Sequence, residues 1–438
     1  MDRLVDVDAR VIGQASPMRI AIVGGGWAGL AAAVELAAHG RPVTLVEAAK
    51  QLGGRARSLH WDGIRIDNGQ HLFIGAYHET LRLMQRVGSA DRLERRALKL
   101  ILPDFRLTLP SLPAPLHLAW GLLSAKGLGL TEKWAAARFM RSLQRRRYKL
   151  ANDITAAQLL AQHQQPPRLT DRLWAPICVA ALNTPLDEAS AQVFCNVLRD
   201  SLGGARADSD LLFNRGDVDA LFPAAAAAYI LRHGGEVHLR ARVQSVIRRH
   251  AAFLLDGTTV QADRVVLAVH PAALPPLLAR LPELAAVATE VGGYGWQPIH
   301  TAWLRFAEPV RLPYPMLALG GGQSPWVFDR HDLAPGLLSL VTSATGPHLD
   351  LSEHALRDRY LARLRELCGT LPPLLGWKTI VEKRATYACH PGLPRPQPLT
   401  PIAGLYLAGD YTRGDYPATI EGAVRSGVEC ARLILAGK

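Results

Sequence analysis

The feature that most constrains this chain is a short apolar run, Ile20-Ala21-Ile22-Val23, that breaks directly into Gly24, Gly26 and Gly29. Four consecutive apolar residues without alternation suit a parallel strand buried on both faces. The G-x-G-x-x-G spacing suits a strand-to-helix turn in which each glycine has its own task. Gly24 permits the tight turn, Gly26 leaves bare backbone for a pyrophosphate, and Gly29 lets the following helix lie close to the strand. Apolar spacing predicts that helix from about Ala28 to His39, with Gly40 as its stop, and a second strand from Pro42 to Val46.

Glu47 ends the second strand about twenty residues beyond the glycine loop, where a carboxylate accepts from both hydroxyls of a ribose and repels a 2′-phosphate. Strand, loop, helix, strand and acid in this order predict a dinucleotide site that disfavours NADP. The next stretch, Gln51-Leu52-Gly53-Gly54-Arg55-Ala56-Arg57, adds a second glycine pair followed by two guanidinium groups. A plain NAD domain has no need of these. A long, fixed FAD does, because its pyrophosphate and flavin must be held from a second loop. Glu47-Ala48 and Gly53-Gly54-Arg55 match the pattern E-A-x-x-x-x-G-G-R, and on these residues the chain resembles the flavin amine oxidase and carotenoid desaturase superfamily. The resemblance implies an α/β fold, with a Rossmann-like FAD-binding domain of the GR2 type interleaved with a mixed α+β substrate domain, and FAD as cofactor.

At 438 residues the chain exceeds one simple core. The expected division places residues 18–90, 215–270 and 395–438 in a discontinuous FAD domain, 91–214 and 271–394 in the substrate domain, and 1–17 in a disordered tail or mis-called start. Residues 1–17 carry mixed charge and lack the apolar core of a signal peptide. No uninterrupted apolar run approaches the roughly 18 residues of a spanning helix. The five cysteines, Cys178, Cys195, Cys368, Cys389 and Cys430, have neither metal spacing nor an even-numbered disulfide framework. Reduced thiols and a cytoplasmic location are therefore expected, without a metal site. The net charge of +12 favours an anionic partner surface. With no nucleic-acid module in view and the basic residues beside apolar segments, a peripheral contact with the inner membrane is expected. A genome-wide preference for arginine and alanine is the other source of such a charge.

Along the chain, a hairpin around Asp62-Gly63 leads into Asp67-Asn68-Gly69-Gln70-His71, and a short amphipathic helix runs from Tyr77 to Val87. Asp67, Gly69 and His71 resemble the D-x-G-x-H segment of flavin desaturases, which lies near the isoalloxazine. Residues 98–130 read as apolar loops, because Pro103, Pro110, Pro113 and Pro115 interrupt them. A helix ending in Arg145, Arg146, Arg147 and Lys149 follows. Beside the apolar loops it suits either a membrane contact at the mouth of a lipid tunnel or an ordinary helix with a solvated cationic end. Residues 151–214 continue as helices, and the stretch from Trp174 to Pro185 is apolar enough to line a greasy pocket. This segment resembles the bacterial squalene-associated FAD enzymes, the hydroxysqualene dehydroxylases of hopanoid synthesis.

Strands are expected around Val237 and at Arg242–Ile247, with a hairpin around Gly257 and a buried parallel strand at Arg264–Val269. Further strands are expected at His300–Phe306, Pro315–Leu319, Trp326–Asp329 and Leu337–Thr342, with Tyr294, Trp296, Trp303, Trp326 and Phe328 as candidate aromatic wall residues. Near the C-terminus, Gly404–Ala408 leads into Gly409-Asp410, and Pro417–Ala423 opens the last helix. This resembles the superfamily's A-G-D…E-G-A-x-x-S-G signature. The resemblance implies that Val243 meets the adenine through its backbone and that Asp410 holds the ribityl chain. It also implies that free amides near Thr419 and Ile420 face flavin N1 and C2=O. With Gly24, Gly26, Ala28, Gly29, Glu47, Ala48, Gly54, Arg55 and Gly409, these residues form the expected FAD site.

No Ser-His-Asp set or metal cluster presents itself, so redox chemistry falls to the flavin. The narrower resemblance implies a long apolar isoprenoid substrate and reductive loss of an allylic hydroxyl, with hydride delivered from flavin N5. His71, Tyr411 and Asp415 are the candidates for protonating the departing oxygen. Electrons come from an external reductant or from transient NAD(P)H binding. The alternatives are a carotenoid-type desaturase, an amine oxidase, and, outside enzymes, an escort protein for prenylated partners.

Overall fold

The computed structural model describes residues 18–438; the tail expected over residues 1–17 lies outside the described residues. Its organising element is a five-stranded parallel sheet. The strand order is Glu236–His238, Val43–Val46, Ile20–Val23, Arg264–Leu267 and Leu405–Leu407. The first strand in sequence is therefore central, and its neighbours arrive from distant parts of the chain. Residues alternate between two cores. Ile22, Leu45, Val266 and Tyr406 pack on the helices Trp27–Ala38, Pro223–Arg232 and Ile420–Leu435. Ala21, Val23, Val265 and Leu267 join the apolar body on the other side. Burial on both faces explains the continuous apolar run that opens the chain.

The second layer is a five-stranded antiparallel sheet ordered Met316–Ala318, Trp326–Asp329, Leu337–Ser343, Trp296–Phe306 and Leu374–Tyr387. Leu304, Leu338 and Leu340 pack toward the helix Glu353–Cys368, against Leu356, Tyr360 and Leu364. The sheet's other face supplies Met316, Phe328 and Val341 to the larger core, beside the helix Ala175–Leu182.

Three expectations need correction, and one strand was not expected. Residues 98–130 are more than loops. Lys99–Leu102 and Phe105–Thr108 form an antiparallel hairpin across Pro103-Asp104, and Leu116–Ser124 is helical. The prolines sit between these elements and interrupt neither strand. Within the expected helical stretch, Leu211–Asn214 is a strand paired with both Phe73–Ile74 and Leu93–Arg96. The fourteen-residue strand Leu374–Tyr387 was hidden because it lies at the sheet edge and carries Lys378, Glu382, Lys383 and Arg384 among its apolar residues. Arg242-Val243-Gln244 is an extended approach to the strand Ser245–Arg249 and lies outside it.

Candidate active site

The site opens at the carboxyl end of the central strand, between Ile20–Val23 and Arg264–Leu267. There the sheet's neighbours change direction in sequence, the usual location for a ligand in such sheets. A cavity of about 830 Å³ begins here and continues beneath the antiparallel sheet.

The glycines of the first loop divide their work as their spacing predicts. Gly24 has φ +110°, and a Cβ there would meet Ala268 O at 2.4 Å. A Cβ on Gly29 would lie 2.0 Å from Gly24 O, so this glycine serves helix packing and does not line the cavity. Gly26 differs: a Cβ would find only Gly54 Cα, at 3.9 Å, and its bare surface faces the cavity. The second loop docks on the first, with Gly53 N donating to Gly25 O at 2.9 Å. The two glycine loops thus form one cradle.

Charged groups are fixed around it. Glu47 accepts from Gly25 N at 2.6 Å and from Ala49 N at 2.7 Å, which sets its carboxylate in the cavity wall with lone pairs to spare. Arg55 donates to Ala385 O at 2.9 Å and to Asp410 Oδ1 at 2.6 Å. Burial opposes the charge on Arg55, but Asp410 outweighs it and holds the guanidinium pKa above its ordinary value. Arg57 turns back on its own loop, donating to Gly54 O, and does not reach the cavity.

The last helix closes the site. Gly409 has φ +155° and donates its N–H to Ser426 Oγ at 2.7 Å. Thr419 caps the helix Ile420–Leu435 by accepting from Gly422 N. The amides of Ile420 and Glu421 then lack acceptors within the helix, while Thr419 and Ile420 line the cavity. Ala28, Ala48, Gly54, Val243 and Asp410 line it too. A bare-backbone cradle, a fixed ribose-side carboxylate, a paired arginine and a helix N-terminus along one cavity fit FAD. These residues would hold it.

The other end of the cavity is apolar. Pro176, Ile177, Ala180 and Ala181 come from the buried helix, and Leu98 and Leu100 from the hairpin region. Met316, Trp326, Phe328 and Val341 come from the antiparallel sheet. Trp303 is absent from this wall; it is fully buried and donates Nε1–H to Asp67 O at 3.2 Å. Tyr294 and Trp296 also lie outside the lining, the latter stacked on His270 with 4.7 Å between ring centres. Tyr77, Gln70 and Glu382 are lining residues that sequence reasoning missed. Only Gln70 had a signal, its place between Gly69 and His71.

The three candidate proton donors separate. His71 lines the cavity, and its Nε2 is buried without a hydrogen-bond partner. Burial, assisted by the nearby Arg330 charge, lowers its pKa to about 4. Its ring is therefore neutral near pH 7, and as one of the three candidates for protonating the departing oxygen it carries no imidazolium charge there. Tyr411 does not line the cavity; its ring packs under Gly409, whose Cβ would meet Tyr411 Cε1 at 2.3 Å. Asp415 lies in a separate polar cleft of about 740 Å³, paired with Arg199 at 3.2 Å. Both are set aside as donors. Asp67 is likewise buried away from the cavity, accepting from Ser58 Oγ and Val218 N, so its position in the D-x-G-x-H segment is structural.

Comparison with known proteins accords with this geometry. The family model of flavin containing amine oxidoreductases matches residues 27–435. The chain belongs to this family. It is an FAD-dependent oxidoreductase, and the cradle fits that cofactor. A hydroxysqualene dehydroxylase of Rhodopseudomonas palustris is 31% identical over 435 residues, covering 95% of this chain and 98% of the relative. A 15-cis-phytoene desaturase of an Oncidium hybrid is 28% identical and covers 96% of this chain and 78% of its own. Among solved structures, cyclohexylamine oxidase of Brevibacterium oxydans superposes with a TM-score of 0.68 at 18% identity, over 96% of this chain and 99% of that one. This last likeness supports the fold alone. Among the described residues no His, Cys, Asp or Glu cluster suits a metal ion, and no helix is long and apolar enough to cross a membrane.

Proposed function

We propose that this flavoenzyme reductively removes the allylic hydroxyl of hydroxysqualene to give squalene. The observation that carries the reading is the continuity of the FAD cradle with a wall of apolar side chains from three separate elements. A full-length relative named for this activity supports it. The overall change is R–OH + H⁻ + H⁺ → R–H + H₂O, and bound, reduced FAD supplies the hydride.

The chain's own residues provide the surroundings. Pro176, Ile177, Ala181, Leu100 and Phe328 offer no hydrogen bonds, so they hold hydrocarbon and exclude water, which would recapture an allylic cation. The free amides opening the last helix would favour negative charge on a reduced flavin held beside them. Neutral His71 serves as a polar contact that orients the hydroxyl. An external reductant, either reduced nicotinamide or a reduced electron carrier, restores the flavin.

The test is anaerobic. Reduced enzyme is mixed with hydroxysqualene while the flavin spectrum is followed and products are extracted. Flavin reoxidation with stoichiometric squalene supports the proposal. In parallel, oxidised enzyme is mixed with phytoene or with a polyamine. Flavin bleaching by either, with no response to hydroxysqualene, assigns the site to desaturation or to amine oxidation instead.

A further inference from the structure

The helix Leu116–Ser124 has the sequence LHLAWGLLS and is apolar on both sides apart from the buried His117. Its inner face buries Leu118, Gly121 and Leu122 against the hairpin; a Cβ on Gly121 would meet Leu109 Cδ2 at 2.4 Å. Its outer face presents Leu116, Ala119, Trp120 and Leu123, a spacing of three and four that makes one continuous stripe. The next helix, Leu130–Arg145, buries Ala136, Phe139, Met140 and Leu143 and exposes Leu130 and Trp134. Lys133 Nζ donates to Leu123 O at 2.6 Å and ties the two helices where their exposed stripes meet.

The exposure here is large. Leu116, Trp120, Leu123, Leu130 and Trp134 are between 55% and 75% exposed. Tryptophan rarely stands in water to this degree, and soluble surfaces rarely gather such residues in one place.

Charge identifies what covers the patch. Between positions 111 and 149 the chain has eight basic residues, Lys126, Lys133, Arg138, Arg141, Arg145, Arg146, Arg147 and Lys149, and one acidic residue, Glu132. Glu132 is engaged in capping, accepting from Gly129 N at 2.6 Å. Among the described residues, none of the eight basic groups forms a salt bridge, whereas Arg55, Arg65, Arg82, Arg95 and Arg330 are all paired elsewhere in the molecule. Apolar side chains at one end of a helix pair and unpaired cations along it match the depth profile of a lipid interface. Tryptophan and leucine enter the acyl boundary, while lysine and arginine reach the headgroups.

We propose that the helix pair Leu116–Ser124 and Leu130–Arg145 is a monotopic insertion surface for an anionic lipid bilayer. It packs through Leu118 and Leu122 into the same core as the hairpin, whose strand Lys99–Leu102 contributes Leu100 to the cavity wall. The enzyme would thus sit with its apolar cavity close behind the membrane-facing helices. This assignment rests on surface residues and holds whichever hydrocarbon is transformed.

The test uses the full-length holoenzyme and vesicles of phosphatidylethanolamine with phosphatidylglycerol, against vesicles of phosphatidylcholine alone. Co-sedimentation with the anionic vesicles, weakened by added salt, is the expected result. The double variant Trp120→Ser/Trp134→Ser should partition about tenfold or more less strongly. Its FAD content and its turnover of detergent-dispersed substrate should match those of the unsubstituted enzyme, which shows that the fold is intact. A second variant, Arg141→Glu/Arg145→Glu, should lose the preference for anionic vesicles even if the tryptophan variant does not accumulate. Equal sedimentation with both vesicle types, or no sedimentation, overturns the proposal. So does a tryptophan variant that changes only the oligomeric state on size-exclusion chromatography, which assigns the patch to a second copy of the chain.

Discussion

Arg55 Nη2 lies 2.6 Å from Asp410 Oδ1, although the two residues are 355 positions apart. Asp410 is 3% exposed, and its backbone oxygen is fixed separately by Arg395 Nη2 at 2.7 Å. The pair joins the second glycine loop to the loop that precedes the last helix, so segments distant in sequence meet at one cavity through a charge contact.

Removing one partner leaves the other buried and uncompensated, a loss of about 3–5 kcal/mol in comparable pairs. Arg55→Ala should therefore lower the free energy of unfolding by an amount in that range, shift the denaturant midpoint down accordingly, and co-purify with little FAD. The double variant Arg55→Ala/Asp410→Asn should recover part of the stability, since no buried charge is stranded. A double-mutant cycle by urea unfolding of the apoprotein checks this; strictly additive losses count against the pair.

Gly26 and Gly29 belong to one motif yet predict different phenotypes. At Gly26 the backbone has φ −76°, which any residue adopts, and the new methyl would enter the cavity. Gly26→Ala should fold with stability changed by no more than about 0.5 kcal/mol, while FAD binds about tenfold or more weakly. At Gly29 the methyl would meet Gly24 O at 2.0 Å, so the helix must move off its strand. Gly29→Ala should lose about 1–3 kcal/mol of stability before any cofactor is added. Thermal unfolding of both apoproteins and FAD titration separate the two effects.

These glycines show which part of the site could be read from sequence. Gly24 to Glu47, Gly53 to Arg55 and Gly409 to Ile420 are local runs in which backbone conformation dictates residue type. The tasks of the first two runs follow from spacing, whereas those of Asp410, Thr419 and Ile420 are legible only through the family resemblance. The apolar end is different. Trp303 and Trp326 are both strand tryptophans, but Trp303 turns into a network with Asp67 and Arg330 whereas Trp326 faces the cavity. Which face a strand presents depends on how the sheet docks, and that is set by contacts far away in the chain. The edge strand Leu374–Tyr387 was obscured for a related reason: its charges meet solvent at the edge of the sheet and blur the apolar signal. His71 was legible as a cavity residue, but its neutrality follows from burial and from Arg330, which bonds to Gln70 from 260 positions along the chain.

Ala181 lies on the buried helix and faces the apolar end of the cavity, well separated in sequence from both FAD loops. Ala181→Trp adds a large ring to space that a long hydrocarbon needs. The variant should keep its full FAD spectrum while hydroxysqualene-dependent reoxidation of the reduced flavin slows by about 100-fold, a loss of about 2.7 kcal/mol in transition-state stabilisation. Stopped-flow absorbance measures it. Undiminished reoxidation would place the substrate elsewhere in the protein.

Three desolvated histidines contribute to the response to acid. Burial lowers the pKa of His71, His270 and His300 to about 4 each, with Arg330 assisting at His71, Arg55 at His270 and His348 at His300. In the unfolded chain a histidine titrates near 6.5. Between about pH 6.5 and pH 4 the unfolded chain therefore binds protons that the native protein does not. Stability from these residues is fully present above pH 6.5 and falls as pH drops toward 4. His300 isolates the effect, because its Nδ1 has no partner and the residue does not line the cavity. His300→Asn should flatten the loss of stability between pH 7 and pH 5 by up to about 2 kcal/mol, measured by urea unfolding at both pH values. An unchanged slope would mean that His300 takes up its proton in the folded state at its ordinary pKa.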